Sequence, residues 1–331
     1  MGTRQIEIST PTSVGEYEWQ IVDRIKETSN TFTYVFSPVA SSQSCAFTVG
    51  QFVTISALLE KPTASGKREE SVVQRTYSIA SSPTRDLIEL TIKREKPYGH
   101  INPITKKADG FAAYFFEQMK LGDKVNVRMN PNKNHFLSKI GTRLEKNIAY
   151  WSGANGAESA RCLIQFMDDT KDLELELILF YSNPNLYTYH DEKDNKKSVN
   201  VIYYNWLLDM AKKMDNLKVV FTFTKERDFD LLSSDHPRII YRQGRFFRNP
   251  DGTYERTLSK YHGNSEITFN PVCGSSGFIN GVVKRSDGKI ERGMGIMQNL
   301  IEIEGVKPMK IDTEQFYLQV EGQNTKVSKS I

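Results

Sequence analysis

The sequence predicts two domains. The first is an antiparallel β-barrel over residues 1–145. The second is an α/β domain with a doubly wound parallel sheet over 146–331, ending in a C-terminal tail. Three observations carry this prediction. The chain has 331 residues, which suggests about two domains at roughly 150 residues each. Its first part is a series of short segments rich in Thr, Val, Ile, Phe and Tyr and bounded by turn residues, the pattern of a small antiparallel barrel. Beyond that part, strand-like and helix-like segments alternate, the pattern of a parallel sheet with helices on its faces.

In the first part the strands are TFTYVFSP (31–38), QFVTISAL (51–58), TYSIASS (76–82), LIELTIKRE (87–95) and DKVNVRMN (123–130). One segment differs. GFAAYFFEQMKLGD (110–123) places Phe111, Phe115 and Met119 at helical spacing and closes on Gly122, so a helix is expected there. EKPTASGKREES (60–71) is polar and reads as a mobile surface loop.

In the second part NIAYWSG (147–153), LELELILFYSN (173–183), LKVVFTFTKE (217–226) and ITFNPVCGSSG (267–277) read as strands running into turns. AESARCLIQFMDD (157–169), VIYYNWLLDMAKKM (201–214) and GFINGVVKR (277–285) read as helices. The connection from 231 to 265 is long and basic, with Arg242, Arg245 and Arg248, and reads as an insertion or a hairpin. Ligands of open α/β sheets lie beyond the carboxyl ends of the strands. Here those ends are SGANGAES, FYSNPN, FTFTKER and PVCGSSG, all rich in small or polar residues.

Composition narrows the function classes. Hydrophobic content of 38% and charged content of 25% indicate a soluble globular protein. No apolar run approaches the ~18 residues a membrane helix needs, and MGTRQIEIST has no apolar signal core. Gly2 is followed by Ile6 where a myristoylation signal wants Ser or Thr. A cytoplasmic protein with no membrane partner is the expectation. Cys45, Cys162 and Cys273 lie far apart, so no CxxC spacing points to a metal, an iron–sulfur cluster or a disulfide framework. A net charge of +4 is too small to argue for nucleic acid, and it permits an acidic partner. HExxH, GxSxG, GxxxxGK[ST] and the HRD–DFG pair do not occur, so hydrolase and kinase readings have no motif to rest on.

Five stretches carry candidate chemistry. In QRTYSIASSP (74–83), period-2 alternation puts Arg75 and Tyr77 on one face and Ser78 on the other. A ligand with a phosphate, a flat ring and a hydrogen-bonding edge would meet all three at a strand end; an ordinary strand running into a turn is the alternative. SGANGAES (152–159) allows backbone amides to approach a pyrophosphate at a helix start, although Glu158 places a carboxylate there. It also reads as a tight turn with an acid that stabilises the first helical turn. CGSSGF (273–278) offers either a polarizable thiol beside a redox ring or a small buried hydrophobe. TKER (224–227) could hold a phosphate monoester or form a solvated loop. IDTEQFY (311–317) could bring a stacking aromatic and a proton-relaying carboxylate, or simply close a sheet.

Taken in order, these pieces resemble the ferredoxin–NADP reductase family from about residue 17 to 320. GQFVTI (50–55) is similar to the strand before the flavin motif, and RTYSIASSP matches the Arg-x-Tyr-Ser flavin signature. LTIKRE (90–95) is similar to the next flavin-side strand. GFAAYFFEQMKLGD fits the Gly-x-x-Ser segment and the following Lys-x-Gly-Asp. CGSSGF and Glu314-Gln-Phe316 resemble the Cys-Gly strand end and the closing Glu-x-aromatic.

The resemblance implies an FAD-containing reductase. It would pass electrons between NADPH or NADH and a separate one-electron carrier, with hydride transfer to the flavin. Arg75 would contact the FAD pyrophosphate, Tyr77 would stack on the isoalloxazine, and Ser78 would hydrogen-bond near its N5, with Thr76 in the same signature. Lys93 would face the flavin or its phosphates. Gly110, Phe111, Ala112 and Ala113 would present helix N-terminal amides to the pyrophosphate. Cys273 would lie where the nicotinamide meets the flavin, with Ser78 and Glu314 as catalytic partners. Gly153, Asn155, Gly156 and Gly274 would line the dinucleotide. Thr224 and Lys225 resemble the pair that holds the 2′-phosphate of NADP, and Tyr241 the tyrosine packed on its adenine.

The sequence also departs from the pattern. Ala113 replaces the helix-start serine. The Gly-x-Gly-Ile-x-Pro loop reads Ala154-Asn155-Gly156-Ala157-Glu158-Ser159, and Phe316 is not terminal. With no iron–sulfur cysteines in the chain, the acceptor would be another molecule, such as an acidic ferredoxin docking on basic residues. The altered loop motivates an alternative: a flavin-binding subunit or sensor that no longer uses a pyridine nucleotide.

Overall fold

The computed structural model describes residues 16–40, 47–62, 65, 67–94, 111–130, 146–171, 175–191, 196–226, 229, 232–249, 251–262, 268–284 and 289–316. The first part comprises β1 (Glu16–Thr28), β2 (Thr31–Pro38), β3 (Phe52–Pro62), β4 (Arg68–Ser78) and β5 (Ile88–Lys93), then α1 (Phe111–Gln118) and β6 (Lys124–Met129). The strands form an antiparallel half-barrel in the order β4-β3-β6-β1-β2-β5. Alternation makes one face of each strand apolar. Trp19 and Ile21 of β1, Val53, Ile55, Ala57 and Leu59 of β3, and Val125, Val127 and Met129 of β6 are all buried. Phe115 of α1 meets Tyr34 of β2 edge to face at 4.9 Å and joins the same core.

Two expectations change here. β1 was not foreseen, because Asp23, Arg24 and Lys26 interrupt its apolar alternation. The interruption follows a register shift between Ile21 and Asp23, which puts consecutive polar residues in solvent. Residues 60–71 are less of a loop than their polarity suggests. β3 and β4 stay paired through Glu60↔Glu70, Lys61↔Glu69 and Pro62↔Arg68, because the ladder joins backbone groups whatever the polarity of the side chains.

The second part comprises β7 (Asn147–Gly153), α2 (Ala157–Thr170), β8 (Glu176–Asn183), β9 (Tyr187–Asp191), β10 (Lys196–Val199), α3 (Tyr204–Lys213), β11 (Leu217–Phe223) and β12 (Ile239–Gln243). These are followed by α4 (Thr257–His262), β13 (Asn270–Ser275), α5 (Ser276–Asn280), β14 (Val282–Lys284), β15 (Ile290–Arg292), α6 (Ile296–Glu302) and β16 (Ile311–Phe316). A six-stranded parallel sheet runs β12-β11-β8-β7-β13-β16 among the described residues. On one face Tyr150, Leu179 and Phe221 share a core with α2 and α3. On the other, Trp151 stacks on Phe180 at 4.0 Å, and Phe247, Leu258, Ile279 and Leu300 cover them. The chain's order reverses between β7 and β13, which is where such sheets place a ligand crevice.

The basic connection contains an edge strand, β12, paired in parallel with β11. Arg242 on it is buried and ion-paired to Glu255 at 2.7 Å, whereas Arg245 and Arg248 are exposed. The expected helix over 277–285 stops at Asn280. Gly281 takes φ +70°, and Val282–Lys284 pairs with β15.

The two sheets are braced together. Arg161 of α2 is ion-paired with Glu89 of β5, and both are buried. The guanidinium lies over the rings of Tyr203 and Trp206 at 4.8 and 5.3 Å. Tyr203 hydrogen-bonds Thr91 through its hydroxyl and donates its backbone N–H to Glu27 at 3.2 Å. Nearby, the backbone N–H of Ser82 donates to Gln165 at 3.0 Å, and Arg85 pairs with Asp169 at 3.1 Å. Among the described residues no helix is long and apolar enough to cross a membrane, and no group of three or more His, Cys, Asp or Glu could hold a metal.

Candidate functional site

The residues that meet at the reversal of strand order come from both sheets. Ser78, the last residue of β4, is buried and donates its hydroxyl to Glu314 Oε1 at 2.9 Å. Glu314 sits on β16 directly beside Cys273 of β13 in the parallel register. The Cys273 thiol donates to Glu314 Oε2 at 3.4 Å, and Ser159 Oγ donates to the same oxygen at 3.2 Å. One carboxyl therefore gathers three donors from β4, β13 and α2.

Electrostatics follow from this enclosure. Burial pushes the Glu314 carboxyl above the usual range, and the hydrogen bonds from Ser78, Cys273 and Ser159 pull it back. Burial and then the Glu314 charge push the Cys273 thiol well up, so it stays protonated and serves as a donor. The Tyr150 hydroxyl, beside Cys273, donates to the Gly156 carbonyl at 3.4 Å. Glu158 does not present its carboxylate to solvent at the helix start. It is only 4% exposed, and burial pushes its carboxyl well above the usual range. The acid expected to meet a phosphate is thus buried in the first turn of α2.

The turn after β7 is shaped by close approach. A Cβ at Gly156 would lie 2.3 Å from the Cys273 carbonyl oxygen, so the backbone passes directly over β13. Gly153 and Gly274 are crossed by the ring of Phe278, which a Cβ at either position would meet at 2.8 Å. Asn155 lies in the single 3-10 turn Ala154–Gly156 between them.

The other expected residues fall in three places. Arg75, Thr76 and Tyr77 lie on β4, an edge strand, with Arg75 and Tyr77 half-buried and Thr76 exposed. The Arg75 guanidinium donates to the Gln74 carbonyl at 2.7 Å. Lys93 ends β5, the opposite edge of the half-barrel. Phe111, Ala112 and Ala113 form the first turn of α1, while Gly110 lies outside the described residues. Phe316 is the last residue of β16.

Thr224 and Lys225 come just after β11, and Tyr241 lies on β12, its partner at the sheet edge. Thr224 and Lys225 are exposed, their backbone N–H groups bonded to the carbonyls of Asn183 and Pro184 at 3.1 and 2.8 Å. Buried Glu226 fixes this loop by accepting from the Leu186 and Tyr187 N–H groups at 2.6 and 3.3 Å. Tyr241 stacks on Phe221 at 5.8 Å and shares a 2.6 Å hydroxyl contact with Tyr204. Ser159, Tyr150 and Tyr204 were not singled out from the sequence for these contacts. Only Ser159 left a trace, as the residue standing where the family loop has proline.

No protein-family profile matches the sequence, and no curated protein sequence matches it. Solved structures do resemble it. The FAD/NAD-binding domain of a nitric oxide dioxygenase from Vibrio cholerae matches with a TM-score of 0.60 at 13% identity, over 91% of this chain and 98% of that one. The cytochrome b5 reductase domain of a nitrate reductase from Ulva prolifera matches with a TM-score of 0.53 at 19% identity, over 80% and 88%. A ferredoxin–NADP+ reductase from Neisseria gonorrhoeae with bound FAD and NADP matches with a TM-score of 0.52 at 15% identity, over 80% and 87%. The chain has the ferredoxin–NADP reductase-like fold, an antiparallel half-barrel joined to a six-stranded parallel sheet.

Proposed function

We propose that the chain is a flavin-dependent oxidoreductase that moves electrons between NAD(P)H and a separate one-electron carrier. The observation that carries this reading is the meeting of Ser78 of the half-barrel with Cys273 and Glu314 of the parallel sheet at one carboxyl. A site shared by the two sheets can hold two planar cofactors against each other, which is the alignment hydride transfer needs.

The residues present fit FAD and a nicotinamide dinucleotide. β4 stands at the edge of the half-barrel among the described residues, where a heterocycle's hydrogen-bonding edge would reach it. Tyr77 supplies an aromatic face, and Arg75, Lys93 and the start of α1 supply positive charge for a pyrophosphate. The crevice beyond β7 and β13 takes the dinucleotide at the Gly153–Gly156 turn and Gly274. Exposed Thr224 and Lys225 suit a 2′-phosphate, which favours NADPH. Bound flavin would supply the exchange between a two-electron hydride donor and one-electron acceptors. Ser78, Cys273 and Glu314 would orient the reacting edges, and the protonated thiol would present no competing nucleophile. The Neisseria reductase with bound FAD and NADP supports the same pair of cofactors here. The electron acceptor is proposed to be a ferredoxin-like protein.

One observation favours a second reading, a flavin-binding subunit or sensor without nucleotide turnover. The Phe278 ring rests on both Gly153 and Gly274, where the dinucleotide would lie. Stopped-flow mixing with NADPH and NADH separates the two. Flavin reduction within milliseconds to seconds by either nucleotide, faster with NADPH, is the expected result. No reduction by either would leave the sensor reading.

A further inference from the structure

The turn between β7 and α2 is held by two buried tyrosines. Tyr181 of β8 donates its hydroxyl to the Ala154 carbonyl at 3.1 Å, and Tyr150 of β7 donates to the Gly156 carbonyl at 3.4 Å. Neither side chain reaches solvent. Burial pushes the Tyr181 phenol above its ordinary range, so its hydroxyl remains a donor. The resemblance assigns Tyr181 no role.

Ala154 has a reason to need such a partner. It stands where the family loop has its first glycine, and its φ is +49°. Glycine enters that left-handed region freely, whereas a Cβ there crowds the following carbonyl oxygen. The chain therefore makes a left-handed bend without a glycine to ease it. The bend sets the path of the next two residues. Gly156 then passes so close over β13 that a Cβ on it would lie 2.3 Å from the Cys273 carbonyl oxygen. The reach of Tyr181 follows from the sheet. β8 runs beside β7 in parallel register, with Gly153 opposite Ser182, so a long side chain one residue earlier on β8 crosses to the turn that follows β7.

We propose that Tyr181 is a positioning residue of the dinucleotide turn: its hydroxyl holds Ala154 left-handed and so fixes the turn over Cys273 before a ligand arrives. Its use for a dinucleotide rests on the oxidoreductase reading. Without the hydroxyl, Ala154 relaxes to negative φ in part of the population, and a ligand that needs the bent turn binds more weakly by that fraction. Ala154→Gly removes the strain, so the bend no longer depends on Tyr181.

Hydrogen exchange over residues 153–157, on the full chain as purified and with no nucleotide added, tests this directly. Tyr181→Phe keeps the ring and removes the hydroxyl, and it should lower protection there by roughly 2–10-fold, the effect of one hydrogen bond. In the Ala154→Gly background the same substitution should lower it by less than about twofold, because glycine takes positive φ unaided. A hydroxyl that only filled a bonding need of the core would have the same effect in both backgrounds. Titration of the four proteins with NADP+ should show the same pattern in Kd. Equal losses of protection in both backgrounds, no loss in either, or a Kd unmoved by Tyr181→Phe would overturn the positioning role. If the exchange pattern holds and none of the four binds NADP+, the nucleotide reading fails while the hold of Tyr181 on the turn stands. If NADP+ binds and the exchange pattern is absent, the positioning role fails alone.

Discussion

Replacing Gly156 with alanine probes how closely the turn after β7 must approach Cys273. Gly156 has φ −64°, which any residue adopts, so the effect is steric alone. The new Cβ would lie 2.3 Å from the Cys273 carbonyl oxygen and 2.8 Å from its carbonyl carbon, where ordinary contact begins at 3.4 Å. Turn and strand must therefore part by about an ångström. Neither moves easily: β13 is laddered between β7 and β16, and the turn leads straight into α2. Overpacking of this kind destabilises by about 1–3 kcal/mol, and each kcal/mol lowers Tm by roughly 2–4 °C in a domain of this size. The larger effect is expected on rate. The same displacement moves Cys273 against Glu314, and misplacing a reacting geometry by about 1 Å can lower a rate by ~100-fold. Thermal unfolding and stopped-flow flavin reduction measure the two effects. Gly305→Ala is the control. Its Cβ meets nothing within 4 Å but takes φ +74°, so it should lose stability by about 1 kcal/mol of backbone strain and keep its rate. A Gly156→Ala protein with wild-type Tm and wild-type reduction rate would refute the close-approach argument.

Three further predictions concern the brace, the flavin side and the buried acid. Arg161→Ala leaves Glu89 buried and unpaired and should destabilise by about 3–5 kcal/mol, whereas Arg161→Met with Glu89→Leu should be near neutral. Denaturant unfolding measures both, and equal losses would contradict the buried-pair account. Arg75→Ala and Tyr77→Ala should each release or loosen flavin on gel filtration, and unchanged retention in both would remove the flavin role of that strand. Glu158 keeps its proton to higher pH in the folded chain than in the unfolded one, where a glutamate titrates near about pH 4.3. Its stabilising contribution is full below that value and is lost as pH rises through the folded pKa. Glu158→Gln should remove this loss, so its Tm should gain on the wild type as pH rises from 4 to 8. Parallel Tm curves would show that Glu158 ionises normally.

The two-part fold was legible because both halves follow simple periods: alternation in segments such as KVNVRM, and strand–helix alternation from NIAYWSG onward. The chemistry at strand ends was legible where neighbours in sequence are also neighbours in space, as in Arg75 to Ser78. Glu314 was readable as a carboxylate near a closing strand, but its contact with Ser78 was not, since that contact spans 236 residues. Ser159 escaped because its partner lies 155 residues away and a serine at a helix start already has a local explanation. Glu158 was read as facing a ligand because an acid in the first helical turn is normally solvated. Its burial depends on the half-barrel packing against α2, which no local pattern encodes. The Arg161–Glu89 pair was hidden for the same reason: each residue sits among apolar neighbours on its own element.

The central claim is that the two sheets bring a flavin and a nicotinamide together at Ser78, Cys273 and Glu314. The most direct measurement is the absorption spectrum of the purified protein before and after anaerobic addition of NADPH. The account predicts a flavin band that bleaches on addition. A flavin band that persists would contradict nucleotide-driven reduction at this site, and no flavin band after reconstitution with FAD would contradict the function altogether.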